Sequence, residues 1–184
     1  MCMRRKNTLF FASYFVFLTS LTTYPSLAMA NTLSLDDYKR LRPITLQMSA
    51  VSEDLANLII KPPMKRGALD AIASGNRTQE CIIRLTGAFS VIETMLNSLA
   101  QLVAISARMI NNEDEFILLQ FVKLNAGGFV DQLGPHRQML ESTQLRCADD
   151  GATIAKGQEI SRVYKDAEAA VRLIIQKVDF IPLR

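Results

Sequence analysis

Histidine and cysteine are scarce in this chain, and that scarcity narrows the chemistry before any element is placed. There is one histidine, His136, and there are three cysteines, Cys2, Cys81 and Cys147, in 184 residues. No C-x-x-C or H-x-x-x-H spacing occurs, so the common metal pairs have no ligands. No C-x-x-C-H occurs either, which excludes covalently attached haem. A nucleophilic side chain needs a base within reach, and the sole histidine has no recognisable companion motif. Ala126-Gly127-Gly128 lacks both the lysine and the preceding strand of a phosphate-binding loop. Asp149-Asp150-Gly151 lacks the alternating ligands and terminal glutamate of a calcium loop and reads as an interhelix turn. The expectation is a protein that is not an enzyme and holds no cofactor and no metal.

What is present begins at the N-terminus. Arg4, Arg5 and Lys6 precede an apolar stretch from Leu9 to Leu21, and Ala28-Met29-Ala30 is a small-x-small step. That is the layout of a secretory signal peptide cleaved after Ala30. The competing reading, an uncleaved membrane anchor, has a core short of the roughly 20 apolar residues that a spanning helix needs. Thr19, Ser20, Thr22 and Thr23 also dilute its end. Cys2 precedes the apolar core and is not placed to carry a lipid. Lys6-Asn7-Thr8 is polar where a twin-arginine signal wants apolar residues. Residues 1–30 are therefore read as a leader and residues 31–184 as a single helical-bundle domain. The expected location is periplasmic or secreted, with membrane contact only through the uncleaved leader.

Charge and cysteine pairing follow from that division. The leader takes three of the 21 basic residues and no acidic one, leaving 18 basic residues to balance the 18 acidic ones. A neutral mature chain gives no case for nucleic acid or anionic lipid. Export also leaves an even pair of cysteines, which in an oxidising compartment reads as a disulfide between Cys81 and Cys147.

Apolar residues recur at steps of three and four along four segments, the mark of helices that bury one stripe. The first runs Leu41, Ile44, Met48, Val51, Leu55, Leu58. The second runs Ile82, Leu85, Phe89, Ile92, Leu96, Leu99, Val103, Ser106, Ile110, broken only by the serine. The third passes from Phe116 through Leu119, Val122, Ala126, Phe129, Leu133, His136, Leu140 and Thr143 to Cys147. The fourth runs Ile160, Tyr164, Ala167, Val171, Ile174, Val178, Ile181. The fold class expected is all-α, an antiparallel four-helix bundle with long central helices.

Punctuation sets the boundaries. Ser34 and Asp37 resemble a capping box. Pro43 either kinks the first helix or restarts it, and Pro62-Pro63 ends it. The connection from 61 to 77 is long for a compact domain, so Met64 to Ala73 is expected to form a short surface helix. Thr78 suits the N-cap of the second helix. The sequon Asn76-Arg77-Thr78 would matter only in a eukaryotic secretory pathway. Asn111-Asn112 separates helices two and three, and Glu113, Asp114 and Glu115 suit the positive end of the next helix dipole.

Helices two and three, each about 33–35 residues or about 50 Å long, are joined by a short turn and so lie antiparallel. Cys81 begins one and Cys147 ends the other, so the disulfide and the hairpin demand the same arrangement. With those cysteines opposed, His136 falls near Ile92 and Glu93. Gly134-Pro135 should kink or split helix three, and His136 and Arg137 follow directly. The candidate polar site is Glu93, His136 and Arg137; the competing reading is a surface ion pair of little energetic weight. Helix two carries a second apolar flank, Ala88, Val91, Met95, Leu102, Ile105 and Met109, read mainly as burial at the bundle centre and otherwise as a face for a partner or dimer.

The functional expectation is an exported, non-enzymatic interaction or ligand-binding module for another protein or a small ligand. The alternative is a haem- or metal-binding bundle using His136, with Met48 or Met95 opposite. Methionines at helical spacing are more often core filler.

Overall fold

The computed structural model describes residues 33–60, 77–109 and 113–181. The leader, the helix expected at Met64–Ala73, the sequon asparagine and the Asn111-Asn112 turn lie outside the described residues. Four helices account for nearly all of the rest: α1 (Leu35–Ile60), α2 (Arg77–Ser106), α3 (Glu113–Arg146) and α4 (Gly151–Val178). Among the described residues there is no strand. The all-α four-helix bundle read from the periodicity is the fold.

Specific pairs set the direction of each helix. Cys81 and Cys147 are bonded, with their Cα atoms 6.1 Å apart. Further along the same two helices, Ala88 meets His136 and Met95 meets Gly128. Position rises on α2 as it falls on α3, so the two are antiparallel. Asp37 with Lys177 and Asp54 with Lys156 give the same result for α1 and α4. Lys123 with Asp179 and Arg137 with Glu168 give it for α3 and α4. The α2 and α4 helices approach across the nearer diagonal, while each packs on both α1 and α3. The connectivity is up-down-up-down.

The seams become the core. Leu41, Met48, Val51 and Leu55 of α1, Leu85, Phe89, Ile92, Leu96 and Leu99 of α2, Val122, Phe129 and Leu133 of α3 and Ile160, Tyr164, Val171 and Ile174 of α4 are all buried. Each large apolar side chain so buried contributes about 1.5–3 kcal/mol. Ser106, the polar break in the α2 seam, is buried as well, and among the described residues its hydroxyl has no hydrogen-bond partner. Gly157 lets α4 come close to α3: a Cβ there would lie 2.5 Å from the Gln144 side chain.

Three boundary expectations are corrected. The α3 helix runs through Gly134 and Pro135 without a break, so no second piece opens at Pro135. Likewise α1 does not begin afresh at Pro43. Both prolines are exposed, and so are Lys39 and Asp131, whose carbonyls lose an N–H partner. Water can take those carbonyls, while buried residues on either side, Leu133 and Leu140 in α3, hold the helix together. Thr78 is inside α2, not its cap, because Arg77 is already helical. Its guanidinium donates to the Arg146 carbonyl at 2.8 Å and pairs with Asp149 at 3.2 Å, tying the first turn of α2 to the end of α3.

The capping expectation at the start of α1 holds, and the Asp149-Asp150-Gly151 turn also supplies a cap. Asp150 caps α4, accepting from the Ala152 N–H at 3.1 Å and the Thr153 hydroxyl at 2.7 Å. Asp37 accepts from the Ser34 N–H at 2.8 Å and the Ser34 hydroxyl at 3.0 Å, the reaching-back arm of a capping box. The Asp37 carboxylate, only 3 % exposed, also accepts from Lys177 on α4 at 2.7 and 2.8 Å. Burial alone would raise the Asp37 carboxyl. The hydrogen bonds from Lys177 and Ser34 outweigh it and hold the group below the usual carboxylate range. A carboxyl lowered on folding stabilises above its unfolded value and loses that contribution as pH falls through its folded value. Asp37→Asn should therefore cost about 2 kcal/mol in urea unfolding at pH 7, and the gap to wild type should narrow as pH falls below the ordinary carboxylate value of about 3.9.

Candidate functional site

The three residues singled out in the sequence do not form one site. The His136 ring Nδ1 lies 2.7 Å from the Ala88 carbonyl. Arg137 pairs with Glu168 of α4 at 2.7 Å. Among the described residues, no hydrogen bond or ion pair joins Glu93 to either. The reason is angular. A carbonyl points along its helix toward the amide four residues on, so Ala88 oxygen sits at the level of Ile92, where the register put His136. Cys81, Ala88 and Met95 are seven apart and share the side of α2 that meets α3. Glu93 is five residues past Ala88, about 140° further round. The level was legible from the cysteines, whereas the side of the helix was not.

The Ala88 carbonyl receives a second side chain. The Tyr164 hydroxyl of α4 donates to it at 2.5 Å, and the Tyr164 ring stacks on Phe89 with centroids 6.0 Å apart. One backbone oxygen of α2 thus ties down α3 and α4 together. A buried tyrosine in an apolar seam needs an acceptor for its hydroxyl, which was the sequence signal that Tyr164 belonged here. A carbonyl can only accept, so His136 carries its proton on Nδ1 when neutral, leaving Nε2 as the basic nitrogen.

His136 and Tyr164 are both engaged in tying helices to the Ala88 carbonyl. Burial pushes the Tyr164 phenol well above its ordinary range, with Arg137 acting weakly the other way, and its proton is committed to the carbonyl. Glu168 lies below the usual carboxylate range because Arg172 and then Arg137 bond to it, against some burial. This Arg137–Glu168–Arg172 cluster borders a shallow surface depression with Glu141, Lys165 and Ala169. Partly exposed ion pairs of this kind carry little energy. Met95, one of the two methionines considered opposite His136, packs at Gly128, eight residues or about 12 Å along α3 from the histidine. The Phe89–Tyr164 stack is anchored at the same Ala88 carbonyl as the histidine. Among the described residues, no three His, Cys, Asp or Glu side chains gather to hold a metal.

The second apolar flank of α2 divides. Ala88 is buried, and Met95 and Leu102 pack partly against the core. Val91 and Ile105 are exposed, and α3 adds Ile117, Phe121 and Leu124 at helical spacing, each of the five between 44 and 54 % exposed. Between Arg84 and Arg108 the only charged residue on α2 is Glu93, which lies on the other side. The Thr94 and Ser98 hydroxyls on the outer side fold back on the carbonyls of Ser90 and Thr94, at 2.9 and 3.0 Å, so they present little polar surface. By length and composition α2 could cross a membrane, although its main seam is buried in the bundle. The outer side of α2, and of α3 from Ile117 to Leu124, thus exposes apolar and uncharged polar residues, with Asp131 of α3 exposed two turns further along.

No family model, no curated protein and no solved structure matches the chain.

The tyrosine's role gives an alkaline signature. A group raised on folding stabilises below its unfolded value, and that contribution is lost as pH climbs through the folded value. Wild-type unfolding free energy should fall above about pH 10, where an unfolded tyrosine ionises. Tyr164→Phe should cost about 1 kcal/mol at pH 7 and flatten that alkaline fall.

Proposed function

We propose that this protein is an exported, non-enzymatic interaction module that meets a protein partner through the outer side of α2 and α3. The observation that carries the reading is the uncharged strip of Val91, Ile105, Ile117, Phe121 and Leu124, exposed on a bundle whose interior is already filled. Large apolar residues exposed together at helical spacing, as Ile117, Phe121 and Leu124 are, mark contact surfaces more than isolated ones do. Polar groups that could have signalled catalysis are instead used to hold helices: His136 and Tyr164 on the Ala88 carbonyl, Asp37 on Lys177. Export is supported by the basic, apolar and small-x-small order of residues 1–30 and by the pairing of Cys81 with Cys147.

A photo-crosslinking residue placed at Phe121, in cells making the full chain, tests the reading. The expected result is a discrete protein adduct at Phe121 in the exported fraction and none from the same residue at Leu46, an exposed leucine of α1 outside the strip. Equal labelling at the two positions, or none at Phe121, contradicts it.

A further inference from the structure

We infer that α1 is a strap: it opens from the bundle as a unit while α2, α3 and α4 stay folded, well below the free energy of unfolding the chain. The covalent and polar ties among the helices leave α1 the least secured of the four.

The Cys81–Cys147 bond joins α2 to α3, and α3 runs into α4 through the short 147–150 turn. The α4 helix is fastened to both. Its Tyr164 hydroxyl donates to the Ala88 carbonyl of α2. Lys123 of α3 donates to the Asp179 and Ile181 carbonyls at 2.6 and 2.8 Å, and Arg137 of α3 pairs with Glu168. The α1 helix has no such anchorage on the hairpin. It packs on α2 and α4. Among the described residues, its polar ties to other helices all go to α4: Asp37 with Lys177 near the start of α1, and Asp54 with Lys156 toward its end.

The disulfide widens this difference. A crosslink stabilises by restricting the unfolded chain within its loop. Residues 81–147 hold most of α2 and all of α3, so the bridge raises the free energy of unfolding that hairpin. Opening α1, which lies outside the loop, leaves the loop folded and draws nothing from the bridge. The α4 helix also lies outside it, but its anchors are on the hairpin itself.

Closure of α1 rests mainly on Leu41, Met48, Val51 and Leu55, each at most 1 % exposed, with Asp37 and Lys177 as a buried latch. Asp54 is 58 % exposed in its pair with Lys156, and pairs of that kind contribute little. Proteins open locally in contiguous cooperative units. Opening this one uncovers the α1 seam and the apolar surface of α2 and α4 beneath it, a groove of the kind that receives an amphipathic helix.

Native-state hydrogen exchange, read by mass spectrometry on the full chain with its disulfide oxidised, tests the inference. Peptides covering Leu41 to Leu55 should exchange together, about a thousandfold or more faster than peptides from the middle of α2 and α3. Reducing the disulfide should speed α2 and α3 about a thousandfold, toward the rate of α1, and leave α1 unchanged. Leu133→Ala, a truncation in the buried seam of α3, should speed α2 and α3 about a hundredfold, again with α1 unchanged. That variant keeps its disulfide, so it decides the matter if the reduced chain does not fold. Exchange of α1 at the rate of α2 and α3, protection lost only at the ends of α1, or acceleration of all four helices together in Leu133→Ala overturns the inference. Crosslinking at Phe121 and exchange at α1 report on different elements, so the strap and the interaction reading can each fail alone.

Discussion

The bond between Cys81 and Cys147 is the constraint from which the other placements follow. It joins the first turn of α2 to the residue just past α3, across a separation of 66 residues. Closing a loop of that size removes about 4 kcal/mol of unfolded-chain freedom in the loop-entropy account. Its structural effect is to fix which turn of α3 lies beside which turn of α2. Once that register is set, His136 arrives at the level of the Ala88 carbonyl.

Hydrogen bonds then fasten the remaining helices to this hairpin. Ala88 holds α4 through Tyr164 as well as α3 through His136. Asp37 and Lys177 join the start of α1 to the end of α4, and Lys156 with Asp54 joins the same two helices further along. Lys123 donates to the carbonyls of Asp179 and Ile181, closing the end of α4 onto α3. Apolar burial supplies most of the stability and is non-directional. These few polar contacts have the directionality needed to select one arrangement of four similar apolar stripes.

Much of this was written in the residue spacing. The four seams were legible because a buried stripe leaves a local period in the sequence, and nearly every described seam residue is buried. The cysteine pairing was legible because topology and compartment demanded it together. The pairing of Glu93 with His136 was not, because opposition along two helices says nothing of rotation about them. The prolines were legible only in part: of the kink or break expected at Pro43 and Pro135, the break does not occur, because both prolines face water and the buried side of each helix stays whole. The outer strip was the least legible feature. Val91 and Ile105 have the same local signature as Met95 and Leu102, and only tertiary packing decides which of them is covered.

Mass-spectrometric mapping of cysteine state in the protein purified from cells without reductant is the most direct test of this architecture. The protein is digested after alkylation without prior reduction. The account predicts a single disulfide-linked species joining the Cys81 and Cys147 peptides, with neither cysteine alkylated until a reductant is added. Recovery of both peptides fully alkylated, or of either cysteine linked elsewhere, would contradict the register and every helix-to-helix placement drawn from it.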